Sequence, residues 1–120
     1  MATLVAIAVA PASIAAAAAT AASDTQCASG NHWCTAILRD HGKVALAFAG
    51  FGLTGSYDLC VTPPKAKERC KTFGLRPNAT GASSSTVQFA RNFPHARKGR
   101  YHARWLYAGK QVGKSMAFTP

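Results

Sequence analysis

The segment at residues 57–75, YDLCVTPPKAKERCKTFGL, constrains the fold most tightly, because its apolar residues and its two cysteines agree on one strand register. Apolar residues alternate with polar ones up to Cys60, and PPKAK is typical of a turn. A hairpin with Cys60 opposite Cys70 places Tyr57 against Phe73 on one face and both cysteines on the other. A slip of one residue would separate the aromatic pair. The same register sets Leu59 against Lys71 and Val61 against Arg69.

Residues 1–22 have the character of a secretory signal peptide. They are uncharged, small or apolar, and Ala19-Thr20-Ala21 fits the small-x-small rule, which predicts cleavage after Ala21 or Ala22. A membrane anchor is the weaker interpretation, because alanine is only mildly hydrophobic and Pro11 interrupts the run. No Lys or Arg precedes the apolar run, which is unusual for a signal. We expect a secreted or cell-wall-associated domain at residues 23–120, with no membrane span left after cleavage.

The four cysteines permit three pairings, and export favours their oxidation. The hairpin register selects Cys60–Cys70, which leaves Cys27–Cys34 by exclusion. We interpret both disulfides as structural staples without redox chemistry.

The rest of the chain follows the same period of two. NHWCTAILR and KVALAFAGF flank the turn DHGK, TVQFAR places Val87 and Phe89 inward, and RYHARWLY is joined to QVGKSMAF by a short turn. The segment RPNATGASSS is predicted to be a polar loop or an edge segment. No stretch after the signal has helical periodicity, so the sequence predicts no helix. Seven short strands indicate an all-β fold, an antiparallel sandwich.

The motif GRYHARW, residues 99–105, resembles the strand-F corner of immunoglobulin-like and fibronectin-III-like domains. The wider pattern GxYxxxW before GxxVG, within residues 33–118, is similar to small secreted bacterial proteins with one basic sandwich domain. The resemblance implies that Tyr101 is a corner tyrosine whose hydroxyl bonds to backbone of the preceding loop. Ala103 replaces the cysteine of antibody domains, and Tyr57 stands where their strand-C tryptophan is expected, so antibody-type kinship is not implied.

The resemblance also implies that strands G, F, C and C′ share one sheet. Arg100, His102 and Arg104 then lie on its outer face, beside Asp58 and Cys60. The opposite parity carries Trp105 and other aromatic residues, which we interpret as core rather than as a base-stacking platform.

Charge is the strongest indication of a partner. The formal net charge is +10, from 14 Lys and Arg against four acidic residues. Such a surface favours acidic wall polymers or polysaccharides, and binds nucleic acid without sequence specificity. A merely solvated face is the competing interpretation. The candidate binding residues are Lys65, Lys67, Arg97, Lys98, Arg100, His102 and Arg104.

No catalytic motif is found. Asp40 and His41 are adjacent in a turn, and no serine lies in a nucleophile elbow. His32, Cys34 and Cys27 could form a metal set, but secretion favours a disulfide, and their spacing matches neither a zinc finger nor the Cys-His-Met cluster of cupredoxins. We therefore expect neither a metal nor a cofactor. Asn78-Ala79-Thr80 is a glycosylation sequon, relevant only in a eukaryotic secretory host.

Three hypotheses follow. The first is a non-enzymatic domain that binds an acidic envelope or extracellular polymer. The second is a cationic toxin or inhibitor that acts on a protein or membrane target through the loop TPPKAKE. The third is a spacer without a ligand. We favour the first.

Overall fold

The computed structural model describes residues 21–120, with side chains from Asp24 onward, as two antiparallel sheets. The predicted signal segment lies outside the described residues, except that Ala21 and Ala22 begin the first strand. The strands are β1 (Ala21–Cys27), β2 (Trp33–Asp40), β3 (Lys43–Phe51), β4 (Ser56–Thr62), β5 (Arg69–Gly74), β6 (Arg76–Pro77), β7 (Ala82–Gln88), β8 (Tyr101–Tyr107) and β9 (Lys110–Phe118).

The order of strands is β1-β2-β3-β7-β6 in one sheet and β5-β4-β8-β9 in the other. If β2 to β9 are taken as strands A, B, C, C′, D, E, F and G, these orders are compatible with an immunoglobulin-like sandwich. The predicted sheet of strands G, F, C and C′ is therefore present. The structure has nine strands where the sequence predicts seven. The additional strands, β1 and β6, are polar, and pairing with their neighbours holds them in place.

The register predicted for the β4–β5 hairpin is confirmed. Cys60 lies opposite Cys70 and Tyr57 opposite Phe73, with the intermediate pairs as expected. The disulfides are Cys60–Cys70 and Cys27–Cys34, as predicted. Each one joins an edge strand to the neighbouring strand in its sheet, so the two sheets are stapled separately.

The expectation that the chain has no helix is wrong. Phe89–Asn92 forms one helical turn, α1, and Ser29–Asn31 forms a 3-10 turn. The helical turn follows β7 directly, and buried Phe89 also fits the alternating pattern of that strand. A helix of four residues is too short to show a helical period in the sequence. Among the described residues, no helix is long and apolar enough to cross a membrane.

Aromatic side chains fill the space between the sheets. Trp105 and Tyr101 on β8 are fully buried, as expected for core residues. Phe89 packs edge-on against Tyr101 and Phe118, with ring centroids 5.1 and 5.0 Å apart, and so joins the sheets at one end. Phe48 of β3 packs against Tyr57 of β4, with centroids 5.1 Å apart. These contacts hold the sheets in one relative position.

Tyr101 forms the corner that the resemblance implies. Its hydroxyl donates to the carbonyl oxygen of Arg97 at 2.7 Å, which ties the loop before β8 to the start of the strand. Because Tyr101 is buried, this loop has a fixed attachment to the core. The bond therefore helps to fix the positions of Arg97, Lys98 and Arg100 in this loop.

Candidate polyanion-binding surface

One end of the sandwich collects loops from both sheets. There β4 and β9 end while β5 and β8 begin, since Val61 pairs with both Arg69 and Ala103, and Tyr101 pairs with Phe118. The β2–β3 turn and α1 of the other sheet arrive at the same end, because Phe89 contacts Tyr101. Arg39 of β2 also donates a hydrogen bond to the carbonyl oxygen of Thr119, just beyond β9.

Basic residues are concentrated at this end, which we call the basic end. Of the 14 Lys and Arg in the chain, nine lie on its loops and strand termini. They are Arg39, Lys43, Lys65, Lys67, Arg69, Arg91, Arg97, Lys98 and Arg100. Two carboxylates share this end, those of Asp40 and Glu68, so the local charge is strongly positive.

Two loops of the basic end touch each other. A Cβ built on Gly99 would lie 3.1 Å from Cγ of Pro64, so the loop before β8 packs directly on the β4–β5 turn. Gly99 has φ +126°, a conformation that favours glycine. The contact brings Lys65 and Lys67 of one loop to the same end as Arg97, Lys98 and Arg100 of the other. All five of these residues are exposed.

These five cations have no carboxylate partner. Within residues 21–120, the ion pairs are Arg104 with Glu68 and His41 with Asp40. The five side chains are therefore available to an external anion. His102 lies beside them on β8, exposed and opposite Thr62 of β4.

Arg104 differs from the other candidate residues because it is already engaged. Its Nε and Nη2 donate to the two carboxylate oxygens of Glu68 at 2.7 and 2.8 Å, and Nη1 lies 3.4 Å from Oε1 of Gln111. The hydrogen bonds from Arg104 lower the pKa of Glu68, and burial opposes them weakly. The sequence places Arg104 on the outer face correctly, but only the fold brings Glu68 to it across the sheet.

Sequence reasoning missed the three basic residues that the β2–β3 turn and α1 contribute to this surface. Arg39 and Lys43 flank the β2–β3 turn, far along the chain from β8, and Arg91 lies on α1, which follows β7 of the same sheet. The packing of Phe89 on Tyr101 and the hydrogen bond from Arg39 to Thr119 bring their loops to the basic end. The sequence did hold a clue, since each of the three residues lies at or next to a predicted turn or loop.

Within the part of the chain that the structure describes, the two sets of residues considered for a metal each contain a disulfide. In the set of His32, Cys34 and Cys27, whose spacing in the sequence already argued against a metal site, both sulfurs form one disulfide. A second cluster, Cys60, Cys70 and Glu68, also contains a disulfide. Asp40 and His41 form an exposed pair at 3.3 Å in the β2–β3 turn.

Comparison of the chain with protein-family models, with curated proteins and with solved structures found no match.

Proposed function

We propose that this protein is a non-enzymatic binding domain that holds an acidic cell-envelope or extracellular polymer at its basic end. The supporting observation is the collection of nine Lys and Arg side chains from both sheets at one end of the sandwich. If the charges served solubility alone, they would be spread over the whole surface. The proposal adds Arg39, Lys43, Arg69 and Arg91 to the candidate residues. It assigns Arg104 to positioning because Glu68 occupies its donors.

The physical basis is local potential combined with fixed donors. Clustered charges of one sign raise the local concentration of an anionic polymer and speed its association. Arg97 and Arg100 offer planar donor pairs that match phosphate, sulfate or carboxylate groups, while Lys65, Lys67 and Lys98 offer point charges. The Tyr101 hydroxyl bond and the Cys60–Cys70 disulfide fix the two loops, which lowers the entropic cost of binding.

The proposed location is outside the cell. Two disulfides are consistent with an oxidising compartment. In that location, an envelope polymer with repeated anionic groups would bind several cations of the basic end at the same time.

The test compares two double charge reversals. Lys98→Glu with Arg100→Glu alters the basic end, whereas Arg76→Glu with Lys110→Glu alters exposed sites near the opposite end. Each pair lowers the net charge by 4, from +10 to +6. Binding of the oxidised protein to a teichoic-type polymer, an acidic polysaccharide and duplex DNA is measured across a salt series.

We expect saturable binding to one polymer near physiological salt. The basic-end variant should weaken it about tenfold or more, and the control variant much less. Equal losses in both variants would contradict the proposal, because net charge alone would then explain the binding. Binding to all three polymers that disappears together as salt rises would contradict it too. No binding to any polymer would favour a spacer.

A toxin or inhibitor role is the second candidate, supported by the exposure of the β4–β5 turn. Lys65 and Lys67 protrude from a turn that the Cys60–Cys70 disulfide closes, and Lys65 has φ +53°. This role predicts that Lys65→Ala with Lys67→Ala abolishes activity on the target, since the turn would be the element presented to it. Polymer binding at the wider basic end predicts only a small loss.

A further inference from the structure

Strand β5 (Arg69–Gly74) is an edge strand with a free side. It pairs with β4 alone, and its residues are exposed apart from half-buried Phe73. The Cα atoms of Cys60 and Cys70 are 4.0 Å apart, which is the short spacing of a non-hydrogen-bonded antiparallel pair. The backbone N–H and C=O of Cys70 therefore point away from β4. Because this pattern alternates, those of Thr72 point outward as well.

The remaining sheet edges of the described chain are less available. Gln26 of β1 reaches across the sandwich, where its Nε2 donates to the carbonyl oxygen of Lys114 on β9 at 2.7 Å. The N–H of Lys114 donates back to Oε1 of Gln26 at 3.0 Å, so one side chain links the β1 and β9 edges. β6 is only two residues long. β5 thus combines length, exposure and outward backbone groups.

Charge determines which strand this edge can accept. Arg69 and Lys71 lie opposite Val61 and Leu59, so they share the inner parity of the strand, and both are exposed. Lys71 Nζ lies 5.9 Å from the centre of the Phe93 ring. Pairing of β5 with a second copy of itself would bring these cations together, which opposes association of the protein with itself. A strand with acidic residues at alternate positions would instead place them beside Arg69 and Lys71.

We propose that the free edge of β5 binds an acidic, extended segment of a partner protein, which adds to the sheet as a fifth strand. The outward backbone groups of Cys70 and Thr72 supply main-chain hydrogen bonds, and Arg69 and Lys71 select for acidic side chains. The site shares Arg69 with the basic end, but it differs from polymer binding because it depends on backbone pairing rather than on charge alone.

The probe is a seven-residue peptide of alternating valine and glutamate, with acetylated and amidated ends and a fluorescent label. Two control peptides have the same sequence with every second backbone nitrogen methylated, one starting at the first residue and the other at the second. Methylation removes the N–H donors on one side of the strand and keeps every charge. Fluorescence anisotropy at physiological salt should show binding of the parent peptide and about tenfold weaker binding of at least one methylated form. Equal affinity for all three peptides would overturn the proposal.

Variants of the protein locate the edge. Thr72→Pro removes an outward N–H that the ladder does not use, a change that edge strands tolerate, and it should weaken peptide binding about tenfold. Thr72→Val keeps that N–H and loses only the hydroxyl bond to Asp58, so it should bind normally. Thr25→Pro makes the corresponding change on β1 and should also bind normally. A Thr72→Pro protein that binds as tightly as the wild type, or a loss confined to Thr25→Pro, would overturn the assignment.

The polymer-binding test and the peptide-binding test have separate outcomes. If the charge reversals at Lys98 and Arg100 abolish polymer binding while the parent peptide still binds, both sites stand. If polymer binding proves to be non-specific and the methylated peptides still bind less tightly than the parent, the edge site stands alone.

Discussion

Single residues fix the sandwich where chain segments approach closely. Gly50 on β3 is such a position, because a Cβ built there would lie 2.4 Å from the carbonyl oxygen of His32. The same Cβ would lie 2.6 Å from Cδ1 of Leu53. That carbonyl oxygen also accepts a hydrogen bond from the N–H of Phe51 at 3.0 Å. The contact holds the turn before β2 against the end of β3, and no local pattern in the sequence reveals it.

Replacement of Gly50 should therefore be costly. We expect Gly50→Ala to lower the free energy of unfolding by about 2–3 kcal/mol, because a backbone carbonyl has to move. Gly74→Ala is the matched control, since a Cβ there meets nothing within 4 Å and the residue has no positive φ. It should be neutral or slightly stabilising. Chemical denaturation of both variants measures the difference, and equal stabilities would show that the His32 carbonyl adjusts freely.

At the scale of elements, the sandwich anchors its edge strands by different means. Disulfides tie β1 to β2 and β5 to β4, while the Gln26 amide joins β1 to β9. Gly113, with φ +75°, permits this last link, because a Cβ there would lie 2.7 Å from the Gln26 side chain. Gln26 thus joins the two sheets directly along one side of the sandwich.

The Gln26 link predicts a local change. Gln26→Ala should lower the free energy of unfolding by about 1 kcal/mol and speed amide exchange at Lys114, whose N–H donates to Gln26. Gln88→Ala is the control, as Gln88 is exposed and lies on β7, away from this link. Hydrogen exchange followed by NMR tests the change. Unaltered exchange at Lys114 would mean that water replaces the side chain without loss of protection.

Elements with a strict alternating pattern could be predicted from the sequence, and irregular ones could not. The β4–β5 register followed from apolar parity and cysteine positions together, which leave one solution. β1 has no such pattern in AASDTQC, so its strand depends on pairing with β2 and on Cys27–Cys34. In the site, Arg100 and His102 followed from the parity of β8. The Glu68–Arg104 pair did not, because it joins residues 36 positions apart.

For the whole molecule, the distribution of charge opposes the compact state at low salt. The net charge is +10, and nine basic residues gather at one end. Their repulsion weakens as salt shortens the screening length from about 30 Å at 0.01 M to about 8 Å at 0.15 M. Stability should therefore depend on ionic strength more than in a protein of balanced charge.

Thermal unfolding in sodium chloride tests this dependence. Between 0.01 and 0.15 M, we expect the melting temperature to rise by roughly 3–6 °C, corresponding to about 0.5–1 kcal/mol. A Lys98→Gln with Arg100→Gln variant should show a smaller rise and melt higher at low salt. If the variant and the wild type respond equally, the basic end is not where the repulsion is concentrated.

The positions of the two disulfides also bear on how the chain folds. Each joins cysteines that are close in sequence, with separations of 7 and 10 residues, and neither crosses between the sheets. Closing such short loops is fast and entropically inexpensive. Each bridge can therefore form within its own hairpin before the rest of the sandwich assembles. Oxidation would then start from two preformed hairpins, which leaves the slower pairing of distant strands as the late step.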